Sequence, residues 1–437
     1  MDTKISITKI LSLIVILLLV FTALLISLSN VNPLLLLLSS MVLTFYVCIG
    51  LFSSDMMNPF MMLLLTTGLG TLDVVVVSLG LRDVNFGVEE KYYILSLIII
   101  NLWHLLFVVG YFISNTTKGG SQSTSPACIQ KDLFNDKIVF IIILVVVIIG
   151  AYLIFRVAGS YGGIILAMQA RGDAYEGLGF LSMLLGLGGI LPVLLLRKQK
   201  NILAGIMLLI IFFLNATLGG RTSAIYVSVL PTLFYYNYHV KRINKKSILL
   251  ITIPIAIFIV FWGQLRMYDA IDLNIDVSDF LTSLTSNKNF GQNLPYMMYA
   301  IDNREIPFQF LNFAFNAIFA FIPRGIWPDK PDIDESGIIG RLLYGATSTG
   351  QPVGQYGFAY LCFSWIGVVL FGFTTGYIVA KISNTVKNIN RYEVWLWYSY
   401  IIVLIFSIWL PSPQFRIIWY TMWFLSFTIL SKFFLNR

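Results

Sequence analysis

Of 437 residues, 58% are hydrophobic and 11% charged, with a mean hydropathy of +0.83; soluble domains do not reach such values, and the chain reads as a multi-pass membrane protein. Its net charge of +8 is spread over loops rather than gathered into a groove or arm, which excludes a nucleic-acid binder. Cys48, Cys128 and Cys362 show no CxxC spacing and the histidines are His104 and His239, so a disulfide framework, a thiolate cluster and a histidine-rich metal site are excluded and no cofactor is expected.

A bilayer core takes about 20 apolar residues per helix. Twelve runs qualify between charged or Pro/Gly-rich breaks: 8–28, 32–53, 58–80, 92–114, 138–156, 178–196, 201–218, 222–239, 247–263, 356–380, 394–411 and 417–434. The first has lysines before it but no small-residue cleavage site, and is expected to stay as an uncleaved helix. The expected fold is all-α, with nine spans in 1–263, a large outer segment at 264–355 and three spans in 356–437. Within that segment the stretch Phe308 to Ile322 is short for a span and flanked by Pro307 and Pro323, as expected of a re-entrant or interfacial helix. A second outer loop, 157–177, has Gly-rich ends, and the Ser/Thr/Gly-rich 115–137 reads as a flexible linker.

An even number of spans puts both termini on one side, and the positive-inside rule chooses it. The termini and the loops at 54–57, 115–137, 197–200, 240–246 and 381–393 hold 13 Lys and 4 Arg, whereas the opposite side holds 3 Lys and 9 Arg. Both termini are therefore expected in the cytoplasm. Arginine offers a planar fork that grips phosphate and carboxylate oxygens bidentately, while lysine is a hydrated point charge, so the outer arginines point to anion recognition rather than topology. Fifteen of the 21 acids share that outer side.

The turn GGRTS, 219–223, places Arg221 at an outer mouth with Thr222 and Ser223 set to cap the next helix. Free N–H groups, a positive dipole end and a guanidinium together suit a pyrophosphate; the competing reading is an interfacial arginine that snorkels to headgroups. Arg416 repeats the arrangement after the Pro-rich turn at 411–413. The segment 322–345 gathers Arg324, Lys330 and Arg341 with Asp329, Asp332, Asp334 and Glu335 around Trp327. Cations there suit a phosphorylated leaving group, a carboxylate suits a general base, and the indole suits a sugar face. The alternative is a solvated loop whose charges pair with each other. Glu335 and Asp329 are the candidate bases; Arg171, Arg221, Arg266, Arg324, Lys330, Arg341 and Arg416 are the candidate pyrophosphate or substrate contacts. Asp73, an acid inside a span, is read as structural, hydrogen-bonded to a neighbour such as His104.

These features together resemble a family. The loop YGGIILAMQARGDAYEGLG, the turn GGRTS, and IPRGIWPDKP followed by STGQPVGQYGFAYL are similar to the oligosaccharide repeat-unit polymerases, the Wzy-type O-antigen polymerases, over about 55–435. The resemblance implies a metal-independent, GT-C-like glycosyltransferase in the bacterial inner membrane. It would join undecaprenyl-pyrophosphate-linked units at the periplasmic face, with a chain-length-regulating co-polymerase as a possible partner. By position, Arg171, Arg221, Arg324 and Arg341 match the family's outer arginines. Neither Arg171 nor Arg324 is followed eleven residues on by the glycine some members carry; Ser182 and Glu335 stand there. A lipid-linked oligosaccharide flippase, the main alternative, needs charge along a central cavity within the spans. An O-antigen ligase uses an outer-loop histidine, and His104 and His239 both fall in or at the inner end of spans. A membrane O-acyltransferase is disfavoured for the same reason.

Overall fold

The computed structural model describes residues 7–28, 31–52, 58–82, 87–116, 136–170, 174–175, 180–218, 224–244, 257, 290–316, 327, 329, 331, 335–345, 352–389, 397–398, 400–402 and 404–405. Among these there is no strand, as an all-α chain requires. The long helices are α1, Ile7–Leu28, α2, Pro33–Phe52, α3, Pro59–Ser78, α4, Glu90–Thr116, and α5, Asp136–Ser160. Next come α6, Ile164–Gln169, α7, Phe180–Leu187, α8, Ile190–Arg197, and α9, Asn201–Thr217. Helix α10 runs from π-helical Ile225–Val229 through α-helical Leu230–Tyr235 to π-helical Tyr236–Val240. Then follow α11, Phe290–Asp302, α12, Asn312–Asn316, α13, Glu335–Tyr344, and α14, Gly354–Asn388.

Among the described residues four stretches are long and apolar enough to cross a membrane by themselves: Pro33–Leu51, Glu90–Asn115, Phe140–Ser160 and Gly354–Asn388. The expected run at 178–196 is not one continuous helix: a turn at Gly188–Gly189 divides it into α7 and α8. The reason is packing, because a Cβ at Gly189 would strike the Val227 carbonyl of α10 and a Cβ at Gly188 would meet Ile211 and Val147. The runs at 247–263 and 417–434 lie outside the described residues apart from position 257. Of the run at 394–411 the described positions are helical.

Helix α14 departs most from expectation. Phe363 (φ −140°, ψ 23°) and Ser364 (φ 55°, ψ −144°) are non-helical, and the two portions double back on each other. A Cβ on Gly367 would meet the Ala359 carbonyl, and the Phe358 and Phe371 rings meet edge to face at 6.0 Å. The second portion, 365–388, lies along α4. Gly372 and Gly376 face Trp103 and Phe107, and Gly110 faces Phe373, so that a Cβ on any of them would meet the opposing backbone. This small-xxx-small seam lets two apolar helices approach where lipid supplies no hydrophobic drive between them. Asn384 Nδ2 closes it by donating to Asn115 Oδ1 at 2.9 Å.

The first portion of α14 and the whole of α11 are inserted helices. Phe290, at the start of α11, occupies the space that a Cβ on Gly70 of α3 would need. Gly70 lies eight residues before Ser78, about 12 Å below that end of α3 at ~1.5 Å per residue. Tyr356, in the first turns of α14, reaches the same level: its hydroxyl is 3.4 Å from Thr71 Oγ1 and its ring is 6.1 Å from Phe290. Helix α11 then rises to a cap in which Glu305 N bonds Ala300 O and Arg304 N bonds Ile301 O, with Arg304 at φ 61°. That is a Schellman ending in which arginine holds the left-handed position usually given to glycine. The helix that enters the bundle from the 264–355 segment is therefore α11. Of the stretch Phe308 to Ile322, the described part 308–316 contains the five-residue α12, and the rest lies outside the described residues.

Candidate functional site

The most heavily supported polar centre is at Asp73, which is fully buried on α3. Its Oδ1 lies 2.6 Å from Arg82 Nη1 and its Oδ2 accepts the Gly291 N–H at 2.7 Å. A helix that begins inside an apolar bundle leaves its first N–H groups without water. An acid there satisfies one of them and complements the dipole, and Arg82, with 12% of its side chain exposed, balances the charge. The expected partner His104 is elsewhere: its Nε2 lies 3.2 Å from the Tyr46 hydroxyl, which also donates to Thr71 Oγ1 at 3.1 Å. Asp73 faces the bundle and is hydrogen-bonded there, as expected, but its partners are Arg82 and the inserted helix rather than the histidine.

A second centre forms where α14 doubles back. The break at Phe363–Ser364 frees the carbonyls of Leu361 and Cys362, and the chain after α11 takes them up: Gln309 N donates to Leu361 O at 2.9 Å and Phe310 N to Cys362 O at 3.0 Å. Glu335 is fully buried in the first turn of α13, where a carboxylate complements the helix N-terminus. Arg341 is in the last turn of the same helix and exposed. Asp329 and Trp327 are exposed, the indole at 36%.

Of the sequence candidates, then, Glu335 and Arg341 share one helix at opposite ends, with Asp329 and Trp327 described just before it. Arg171, Arg221, Arg266, Arg324, Lys330 and Arg416 lie outside the described residues.

Aromatic side chains collect beside this centre. Tyr92 meets Tyr299 edge to face at 5.6 Å, Tyr296 lies 5.8 Å from Tyr299, and Phe308 lies 6.2 Å from Tyr360. Burial, with the Glu305 carboxylate and Tyr299 adding to it, pushes the Tyr296 phenol above its ordinary value. Sequence reasoning passed over Arg82 and Glu90, which line an open groove of about 470 Å³; their signal was membership of the outer charged set, without a motif to single them out.

Fold and site define a multi-pass helical membrane protein in which a buried acid, Asp73, ties an inserted helix to the bundle. The family model for the O-antigen polysaccharide polymerase Wzy matches residues 8–335, most of the chain, and the chain belongs to that family. Membership carries O-antigen repeat-unit polymerisation, a glycosyltransferase-like reaction on lipid-linked oligosaccharides in a membrane. Comparisons with curated proteins and with solved structures gave no match.

Proposed function

We propose that the protein polymerises undecaprenyl-pyrophosphate-linked repeat units at the periplasmic face of the inner membrane. On this reading it has a GT-C-like arrangement of about twelve spans and cytoplasmic termini. The family match over residues 8–335 carries the reading, and the excess of outer arginines supports the donor's chemistry. In the reaction an acceptor sugar hydroxyl attacks the anomeric carbon of the glycan on the donor lipid. The new C–O bond forms as the bond from the anomeric carbon to the pyrophosphate oxygen breaks, the leaving group keeps the electron pair, and a carboxylate takes the hydroxyl proton. Negative charge grows on the departing pyrophosphate, and guanidiniums fixed in a water-poor site stabilise it.

Arg171, Arg221, Arg266, Arg324, Lys330, Arg341 and Arg416 are the proposed substrate contacts, Trp327 the proposed sugar platform, and Glu335 or Asp329 the proposed base. The two acids stand in different surroundings. Exposed Asp329 meets an acceptor without rearrangement, whereas enclosed Glu335 requires the hydroxyl to enter beside the first turn of α13. A chain-length-regulating co-polymerase is proposed as a partner on family grounds.

Deletion of the protein is expected to leave surface glycan carrying single repeat units. A deletion strain that kept its full ladder of chain lengths would overturn the polymerase reading, and loss of single-repeat material as well would favour a flippase or ligase.

A further inference from the structure

The groove over the ends of α2, α3 and α4 has no part in the reading above. It is open, about 470 Å³, and its polar lining is Asn32, Ser78, Arg82, Glu90 and Tyr93, with apolar walls from Leu35 and Val77. A volume in the range of about 300–1,000 Å³ suits a small molecule or a short oligosaccharide. Charge decides which. The one cation in this lining is Arg82, and buried Asp73 neutralises it at 2.6 Å. Among the described lining residues Glu90 then leaves an excess of negative charge, which disfavours a pyrophosphate or other anion. A neutral, hydroxyl-rich ligand is not disfavoured.

The donors and acceptors match such a ligand. The Glu90 carboxylate accepts from two hydroxyls, as an ionised acid is an acceptor at both oxygens. Asn32 uses its Oδ1 on the Leu34 N–H at 2.9 Å and keeps its amide hydrogens to donate. Ser78 spends its hydrogen on the Val75 carbonyl at 3.0 Å and retains acceptor lone pairs. Arg82 uses one N–H on Asp73 and, of the five a guanidinium carries, has others to give. Tyr93 and the aliphatic walls suit the C–H faces of a sugar ring. Asp73 also holds α11 through Gly291, so Arg82 is fixed to the same post as the inserted helix, and the groove is pre-formed rather than assembled on binding.

We infer that this groove is a glycan subsite, binding the uncharged saccharide portion of a lipid-linked repeat unit at the end of the bundle expected to face the periplasm. The identity of the glycan rests on the polymerase reading; the chemistry of the groove does not.

The test uses the full-length protein in lipid nanodiscs. One probe is free oligosaccharide released from the strain's own lipid-linked repeat units, with lipid and phosphates removed; the other is inorganic pyrophosphate. Binding of the oligosaccharide is expected to weaken about tenfold in Glu90→Gln and in Asn32→Ala, in line with loss of a hydrogen bond to a charged or buried partner. Lys91→Ala, a change at an exposed neighbour, should bind as wild type. Pyrophosphate should not compete. In elongation assays with lipid-linked units, Glu90→Gln should raise KM and leave kcat unchanged. Oligosaccharide binding that is undetectable or indifferent to both Glu90→Gln and Asn32→Ala would overturn the inference, as would pyrophosphate that competes and binds more tightly once Glu90 is neutralised. Failure of the polymerase reading looks different: wild-type protein would then bind oligosaccharide through these residues and elongate nothing.

Discussion

The two helical groups of this bundle are fastened by different means. In the group formed by α2, α3, α4, α11 and α14, polar groups meet at depth: Asp73 with Arg82 and Gly291, Tyr46 with Thr71 and His104, and Thr71 with Tyr356. In the group formed by α5 and α7 to α10, apolar packing and glycine carry more of the fastening, beside a buried tie in which Asn215 Nδ2 donates to Leu185 O at 3.3 Å. Gly188 and Gly189 admit neighbouring backbone and side chains, and the Tyr398 hydroxyl shares its hydrogen between Val227 O at 2.9 Å and Gly186 O at 3.1 Å. Tyr226, donating to Thr66 O at 3.2 Å, ties the groups together. The difference follows from the inserted helices. Helices that start inside the bundle bring orphan N–H groups that only buried acceptors satisfy, whereas helices that run through need only close contact.

The largest effect should come from breaking the polar fastening. Asp73→Ala leaves Arg82 without its counter-ion and Gly291 N–H without an acceptor, a loss of about 3–5 kcal/mol by analogy with other broken buried pairs. Thermal unfolding of the detergent-purified protein should show it, and Asp73→Asn, which keeps the shape and an acceptor, should lose less. An Ala variant as stable as wild type would mean that the junction carries no weight.

Breaking the apolar fastening should cost less. Gly189→Ala drives a Cβ against the Val227 carbonyl and is expected to destabilise by about 1–3 kcal/mol, the usual range for overpacking. Tyr398→Phe, which removes the hydroxyl and leaves two backbone acceptors, should cost about 1 kcal/mol. Equal losses in Gly189→Ala and Asp73→Ala would erase the contrast between the groups.

The smallest effect expected is a gain. Arg304 holds the left-handed position at the end of α11, where a Cβ is unfavourable. Arg304→Gly should stabilise by about 0.5 kcal/mol, the strain relieved being partly offset by glycine's flexibility in the unfolded chain. A loss of stability would show that the arginine side chain makes a contact worth more than the strain.

Much of this architecture was legible in the sequence. Apolar run lengths marked α1 to α5 closely, because span length is set by the bilayer rather than by tertiary detail. Helix α11 was not legible: FGQNLPYMMYAID is only moderately apolar, has Pro295 inside it, and is buried by neighbours far away in sequence. The role of Asp73 was hidden for the same reason, since its backbone partner Gly291 is 218 residues distant. The doubling back of α14 left no hydropathy signal because both portions are apolar. The GFTTG spacing at 372–376 carries a signal for the α4 seam that the sequence analysis did not single out. At the site, sequence brought out the charged segment around Glu335 but read it as a loop; only the fold shows that Glu335 opens a helix and is enclosed.

The central claim is that this chain joins lipid-linked repeat units, and purified protein supplied with the strain's own units tests it most directly. Gel analysis of the products should show a ladder of lengths with stoichiometric release of lipid pyrophosphate, slowed about a hundred- to ten-thousand-fold by replacing the true base, Glu335→Gln or Asp329→Asn. Folded wild-type protein that yields neither ladder nor released lipid pyrophosphate would contradict it.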